Sequence, residues 1–177
     1  NMLHSCKSNV NKHSPFFFTN DQYQFVSKIM ELIIPKTDIP GAIELKLPEF
    51  LDNYIVVVMN QNDKETILRR TNNFIQLILN ETKKNNSKEI NSNDLNTQLK
   101  KYLLASDEQT ESWEKDSKSQ ESEVYNYLIH IRSLTLNAFR LNEYIGEKVL
   151  AYDPIPGDRK VCLDLKKTTG GKRWSLL

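Results

Sequence analysis

The strongest structural signal in the chain is the stretch 122–149, which reads SEVYNYLIHIRSLTLNAFRLNEYIGEKV. Its apolar residues recur at alternating steps of four and three, the spacing that places them on one face of a helix. They are Tyr127, Ile131, Leu134, Ala138, Leu141 and Ile145. This stripe predicts a long helix that packs antiparallel on a helical bundle. Residues 153–157, DPIPG, contain two prolines and predict an end to the helix before them.

Four shorter helical patterns precede this stretch. The first begins after Thr19, which forms a predicted capping box with Gln22, and ends before Pro35. The second begins at Pro48, and the third and fourth cover residues 63–82 and 94–104. Residues 83–93 are polar and predict a loop. In the second helix the apolar residues predicted to share one face are Phe50, Leu51, Tyr54, Ile55, Val58 and Met59.

The remaining segments are polar or rich in turn residues. Residues 105–121 indicate either a solvated loop or an exposed helical extension, in which Trp113 packs locally. The last 20 residues predict an extended, irregular arm ending near Trp174. Together the patterns predict an all-α fold, an irregular bundle of about five helices with Pro-rich turns. We expect residues 1–15 to form a tail and residues 16–177 a single domain.

Composition narrows the class of protein. Apolar residues make up 38% of the 177 residues and the net charge is +1, so charge gives no reason to expect nucleic acid as a partner. Two cysteines, Cys6 and Cys162, are too few for a disulfide framework or a zinc site. No apolar run reaches the length of about 18 residues that a membrane helix needs.

Residues 3–6, LHSC, are similar to the end of a bacterial lipoprotein processing site. One interpretation is that Cys6 carries a lipid anchor and that the residues before it belong to a signal. The other is a disordered tail with an unmodified thiol. Asn1 need not be the native start of the protein.

Motifs for catalysis were sought by their spacing. Of the three histidines only His130 lies in a predicted helix, without a Glu three residues before it, and no His-Glu-x-x-His motif occurs. Residues 167–173, KTTGGKR, lack the first glycine and the Ser or Thr of a phosphate-binding loop. We therefore expect no catalytic residue, metal site or cofactor site in this chain. Glu143 is the one carboxylate worth separate mention, either as an exposed or capping group or as a buried anchor for the loop after it.

Two segments resemble one protein family. Residues 31–42, ELIIPKTDIPGA, are followed by residues 47–52, LPEFLD. Near the C-terminus, residues 134–136 (LTL) lead through 143–146 (EYIG) to 152–157 (YDPIPG). Their order and separation are similar to those of the gluconate 2-dehydrogenase small-subunit family, subunit 3. Where many members have Ser before the Glu of the second segment, this chain has Asn142.

The resemblance implies a non-catalytic accessory subunit. Small subunits of this family bind a large FAD-dependent flavoprotein of the glucose-methanol-choline type, which oxidises a sugar or sugar acid, and a cytochrome c subunit often takes the electrons. In several members the small subunit carries the export signal, so the folded flavoprotein crosses the membrane with it by the twin-arginine pathway. We therefore expect an exported, periplasmic or membrane-associated protein that reaches the membrane only through a partner or a lipid on Cys6.

The segments that carry the resemblance also supply the candidate partner-binding residues. These are Pro35, Pro40, Gly41, Glu143, Tyr152, Pro154, Pro156, Gly157 and Trp174. Aromatic side chains are common anchors in protein interfaces, which singles out Tyr152 and Trp174. Two alternatives stay open from the sequence: a free-standing periplasmic lipoprotein with a scaffolding role, and a metal-dependent helical oxidase.

Overall fold

The computed structural model describes residues 14–152, 162 and 164–175. These residues form an all-α fold with no strand among them. The helices are α1 (Asn20–Ile33), α2 (Leu47–Val58), α3 (Gln61–Thr82), α4 (Ser92–Leu103), α5 (Asp107–Lys115), α6 (Gln120–Leu141) and α7 (Leu165–Thr169). Short turns of 3₁₀ and π type cover Ser87–Glu89 and Ile145–Val149. No helix among the described residues combines the length and the apolar character needed to cross a membrane.

The first helix begins and ends as its sequence predicts. Thr19 accepts a hydrogen bond from the backbone N–H of Gln22, and the Gln22 side chain accepts one from the Thr19 N–H at 2.9 Å. This reciprocal capping box satisfies donors that helix formation leaves free. The helix ends at Ile33, two residues before Pro35.

The core lies around α6, which packs against α1, α2, α3 and α4. Tyr127, Ile131 and Ala138 of its predicted stripe are buried. At the centre, the hydroxyl groups of Tyr127 and Thr71 are hydrogen-bonded at 3.2 Å, so the buried phenol has a partner. Burial raises the pKa of Tyr127 far above its usual value. The long-helix pattern therefore identified the element on which the others pack.

The predicted inward face of α2 is partly wrong. Leu51 and Ile55 are buried, but Phe50 is 42% exposed and Val58 is 59% exposed. The buried stripe instead follows Leu47, Leu51 and Ile55 at steps of four and includes the fully buried Asp52. Because α2 is apolar around most of its circumference, its sequence does not show which stripe faces the core.

The fifth and seventh helices raise the number of helices above the predicted five. Residues 107–115 form α5, which begins with a capping box between Ser106 and Gln109. Trp113 packs locally, as predicted, with ring centroids 5.3 Å from Tyr102 and 5.4 Å from Tyr125. Of the two interpretations of this polar segment, the exposed helical one is therefore correct for residues 107–115, and the helix contributes one large apolar side chain to the bundle.

The long helix ends earlier than predicted. It stops at Leu141, and Asn142 has an extended backbone with φ −70° and ψ 127°. Asn142 Oδ1 then accepts a hydrogen bond from the backbone N–H of Ile145 at 3.3 Å, which starts the π-type turn. Leu141, predicted to face the core, is therefore 71% exposed.

The C-terminal arm is not extended where the structure describes it. Asp164 caps α7 by accepting from the backbone N–H of Lys167 at 2.9 Å, and Gly170 and Gly171 turn the chain with φ of 67° and 85°. The chain then returns beside the end of α6 in a parallel bridge between Ala151 and Trp174. A capped five-residue helix and two turn glycines fold the arm back, so the prediction of an extended arm is wrong for these residues.

Candidate partner-binding surface

The turn after α1 is built around Gly41. Glu31, in the last turn of α1, accepts a hydrogen bond from the backbone N–H of Ile43 at 2.8 Å. Its carboxylate lies against Gly41, where a Cβ atom would overlap it and would also lie 2.8 Å from the backbone N of Lys36. Gly41 is therefore needed for a close approach of backbone and side chain. Gly41 is buried, so it determines the conformation of the turn and is not itself on the surface.

The two sequence segments that resemble one family meet in space. The side-chain amide of Asn142, at the end of α6, donates a hydrogen bond to the carbonyl oxygen of Leu45 at 3.1 Å. Ala42 and Leu45 from the first segment and Ile145 from the second belong to the same buried core. Segments about 100 residues apart in sequence thus form one end of the molecule.

A groove opens on this end between α2 and α6. Its volume is about 460 Å³, and it is lined by Phe50, Leu51, Tyr54, Leu134, Asn137, Arg140, Leu141 and Ser175. The rings of Phe50 and Tyr54 stack with centroids 6.1 Å apart. Because Phe50 and Leu141 are exposed, the groove presents apolar surface to solvent. Exposed apolar surface of this kind is typical of protein interaction sites.

Several of the predicted partner-binding residues lie at this end. Tyr152 is exposed, and it directly follows Ala151, whose carbonyl accepts from the backbone N–H of Ser175 in the groove wall at 3.0 Å. Trp174 is half-buried beside it. Glu143 is exposed, which agrees with the first of its two interpretations and excludes a buried anchor.

The other predicted residues divide into two groups. Pro35 is exposed and Pro40 half-buried in the turn after α1. Pro154, Pro156, Gly157 and Cys6 lie outside the described residues. The structure therefore tests the placement of only part of the predicted set.

The residues that sequence reasoning missed are those that line the groove. The helical pattern predicts Phe50, Tyr54 and Leu141 in the core, and it does not single out Arg140. One signal was available in α2, where apolar residues cover more positions than one core-facing stripe can bury. The exposure of Leu141 carries no such signal, because it depends on where α6 ends.

Asp52, in the middle of α2, holds the segment before α1 against that helix. The buried carboxylate of Asp52 accepts hydrogen bonds from the backbone N–H groups of Phe16, Phe17 and Phe18, at 2.6, 3.2 and 3.1 Å respectively. These bonds tie the segment before α1 to α2. Phe18 is thereby held in the core.

His130 lies half-buried on α6, and burial, together with the nearby Arg70 guanidinium, holds the pKa of its imidazole below the usual value. It is therefore mostly neutral at pH 7. Across the part of the chain that the structure describes, no three His, Cys, Asp or Glu side chains are grouped so that they would hold a metal ion.

Comparison with known families decides the classification. The model of the family described as gluconate 2-dehydrogenase subunit 3 matches residues 20–157. The chain belongs to the gluconate 2-dehydrogenase subunit 3 family. A search of curated proteins and a search of solved structures gave no match. The family match runs from the start of α1 through the turn around Gly41 and the end of α6, so it includes both segments that form the grooved end of this subunit 3 chain.

Proposed function

We propose that this chain is a non-catalytic accessory subunit that binds the FAD-dependent, glucose-methanol-choline-type flavoprotein of a sugar or sugar-acid dehydrogenase. The observation that carries the proposal is the convergence of the two family segments at one end of the molecule, linked by the bond between Asn142 and Leu45. The two segments that carry the family resemblance therefore lie together in the fold, and they adjoin an exposed apolar groove.

In this proposal the subunit supplies binding surface and the partner supplies chemistry. The flavin and the oxidation of the substrate belong to the flavoprotein, and a cytochrome c subunit accepts the electrons. A standard interface buries about 800 Å² of each partner, more than the groove alone provides. Two exposed aromatic residues in the chain that follows α6, Tyr144 and Tyr152, offer further surface for contact with a partner.

The proposal includes a role in export. A small subunit that folds with its flavoprotein and carries the export signal takes the cofactor-loaded enzyme to the periplasm. Cell fractionation tests this role, since deletion of this chain is expected to leave the flavoprotein in the cytoplasm. Mass spectrometry of the native N-terminal peptide shows whether Cys6 carries lipid.

The direct test is co-expression of the tagged chain with the dehydrogenase encoded by the adjacent gene. We expect the pair to co-purify with the visible absorption of bound flavin and to oxidise a sugar acid. The chain purified alone is expected to show neither. Failure of the flavoprotein to co-purify, or oxidation by the isolated chain, would contradict the proposal.

A further inference from the structure

We infer that the groove between α2 and α6 receives an amphipathic, acidic segment of the dehydrogenase subunit, an inference that rests on the proposed function. Half of the residues that line the groove are apolar, namely Phe50, Leu51, Leu134 and Leu141, around a volume of about 460 Å³. Leu141 is 71% exposed, and Phe50 is 42% exposed beside Tyr54. Such a groove is matched by a segment that presents a row of apolar side chains.

Arg140 is the one charged residue that lines the groove. Arg140 lines it from α6, is exposed, and has no carboxylate within ion-pair distance among the described residues. An arginine without an internal partner at the edge of an apolar groove is available to a carboxylate of another chain. The occupant is thereby specified by charge as well as by apolar surface.

The C-terminal arm, which reaches the groove at Ser175, carries further positive charge. Ser175 lines the groove. Among the described residues of the arm, 162 and 164–175, the exposed cations are Lys166, Lys167, Lys172 and Arg173, and the one carboxylate is Asp164. None of these four cations forms an ion pair within the part of the chain that the structure describes. The whole chain carries a net charge of only +1, so the arm concentrates positive charge at this place.

Two exposed carboxylates lie among the described residues that follow α6, residues 142–152. Glu143 and Glu147 are exposed on the chain that leaves α6, and Glu147 lies 4.0 Å from Lys148. A bound segment with apolar side chains in the groove and carboxylates toward Arg140 and the arm satisfies both features of the surface. Electrostatic complementarity of this kind raises the rate of association and selects the partner.

The inference is tested in the complex of this chain with the co-expressed dehydrogenase. Leu141→Asn removes apolar contact in the groove, and Arg140→Glu reverses the charge of its rim. We expect each change to weaken binding at least about tenfold. Binding of the wild-type chain is also expected to weaken with added salt, and this salt dependence is expected to shrink in Arg140→Glu.

Two matched controls lie elsewhere on the molecule. Leu104→Asn changes a leucine that is 75% exposed at the end of α4. Arg132→Glu reverses an exposed charge on α6 about two turns before Arg140, and Arg132 lies nearly opposite Leu141 around the helix. Both control variants are expected to bind the dehydrogenase as tightly as the wild-type chain does. All four side chains are exposed, so circular dichroism is expected to show that each variant folds.

A photo-crosslinking amino acid at Asn137, inside the groove, identifies the occupant. We expect a crosslinked dehydrogenase peptide that contains apolar residues and at least two carboxylates. A stable complex that the groove variants leave intact, a crosslinked peptide without carboxylates, or a crosslink only to a second copy of this chain overturns the inference alone. Absence of any complex with the wild-type chain overturns the proposed function as well.

Discussion

The backbone of Gly41 passes directly against the carboxylate of Glu31, and this contact explains at the scale of one residue why the turn contains glycine. We predict that Gly41→Ala destabilises the fold by about 1–3 kcal/mol, because the new methyl group would lie 2.8 Å from the backbone N of Lys36 and overlap Glu31. Urea unfolding measures this change. Gly146→Ala is the control, since a Cβ there meets only Ser175 at 3.8 Å, and equal losses in the two variants would contradict the explanation.

Asp52 is the second residue whose position fixes local structure. We predict that Asp52→Asn lowers the free energy of unfolding by about 2 kcal/mol, because the buried carboxylate accepts from three consecutive backbone N–H groups and an amide offers one acceptor oxygen fewer. Asp38→Asn, in the exposed turn after α1, is expected to change stability by less than about 0.5 kcal/mol. The account fails here if denaturant unfolding shows the two substitutions to be equivalent.

At the scale of the element, the start of α4 combines a capping box with an ion pair. Lys84 hydrogen-bonds to the carboxylate of Asp94, and the backbone N–H of Asn91 donates to the same group at 2.8 Å. The Lys84 hydrogen bond, followed by that of Asn91, holds the pKa of Asp94 below its usual value. Since the pKa is lower in the folded state than in the unfolded state, the contribution of Asp94 is present above about pH 4 and is lost as the pH falls through the folded-state pKa.

We therefore predict that Asp94→Asn is less stable than the wild-type chain at pH 7 and loses less stability between about pH 4 and pH 2. Urea unfolding at a series of pH values gives the comparison. Asp107→Asn changes an exposed carboxylate in the first turn of α5. Its free energy of unfolding is expected to depend on pH more nearly as that of the wild-type chain does. If the free energies of unfolding of Asp94→Asn and the wild-type chain changed in parallel with pH, the stabilising role of the Lys84–Asp94 pair would be refuted.

The helix boundaries show which parts of the fold can be predicted from the sequence and which cannot. The capping box of Thr19 and Gln22 and the stripe through Tyr127 and Ile131 gave the start of α1 and the core of α6, because caps and periodicity are local. The end of α6 was missed because Asn142 leaves the helix to bond to Leu45, a contact far away in sequence. The groove depends on that end and on the choice of stripe in α2, so it was not predictable from either segment alone.

At the scale of the whole molecule, helices α3, α4 and α5 and the grooved end have different roles in this account. Helices α3, α4 and α5 supply part of the bundle. In contrast, α2, the end of α6 and the arm present exposed apolar and cationic side chains. Membership of the gluconate 2-dehydrogenase subunit 3 family agrees with a surface built for assembly. The central claim is that one end of this bundle binds the flavoprotein.

Hydrogen–deuterium exchange of the chain, alone and in complex with the co-expressed dehydrogenase, tests that claim most directly. We predict slower exchange in the complex for the backbone amides of α2, of residues 134–152 and of residues 164–175. The amides of α3, α4 and α5 are expected to exchange as they do in the free chain. Protection confined to α3, α4 and α5, with the grooved end unchanged, would contradict the claim.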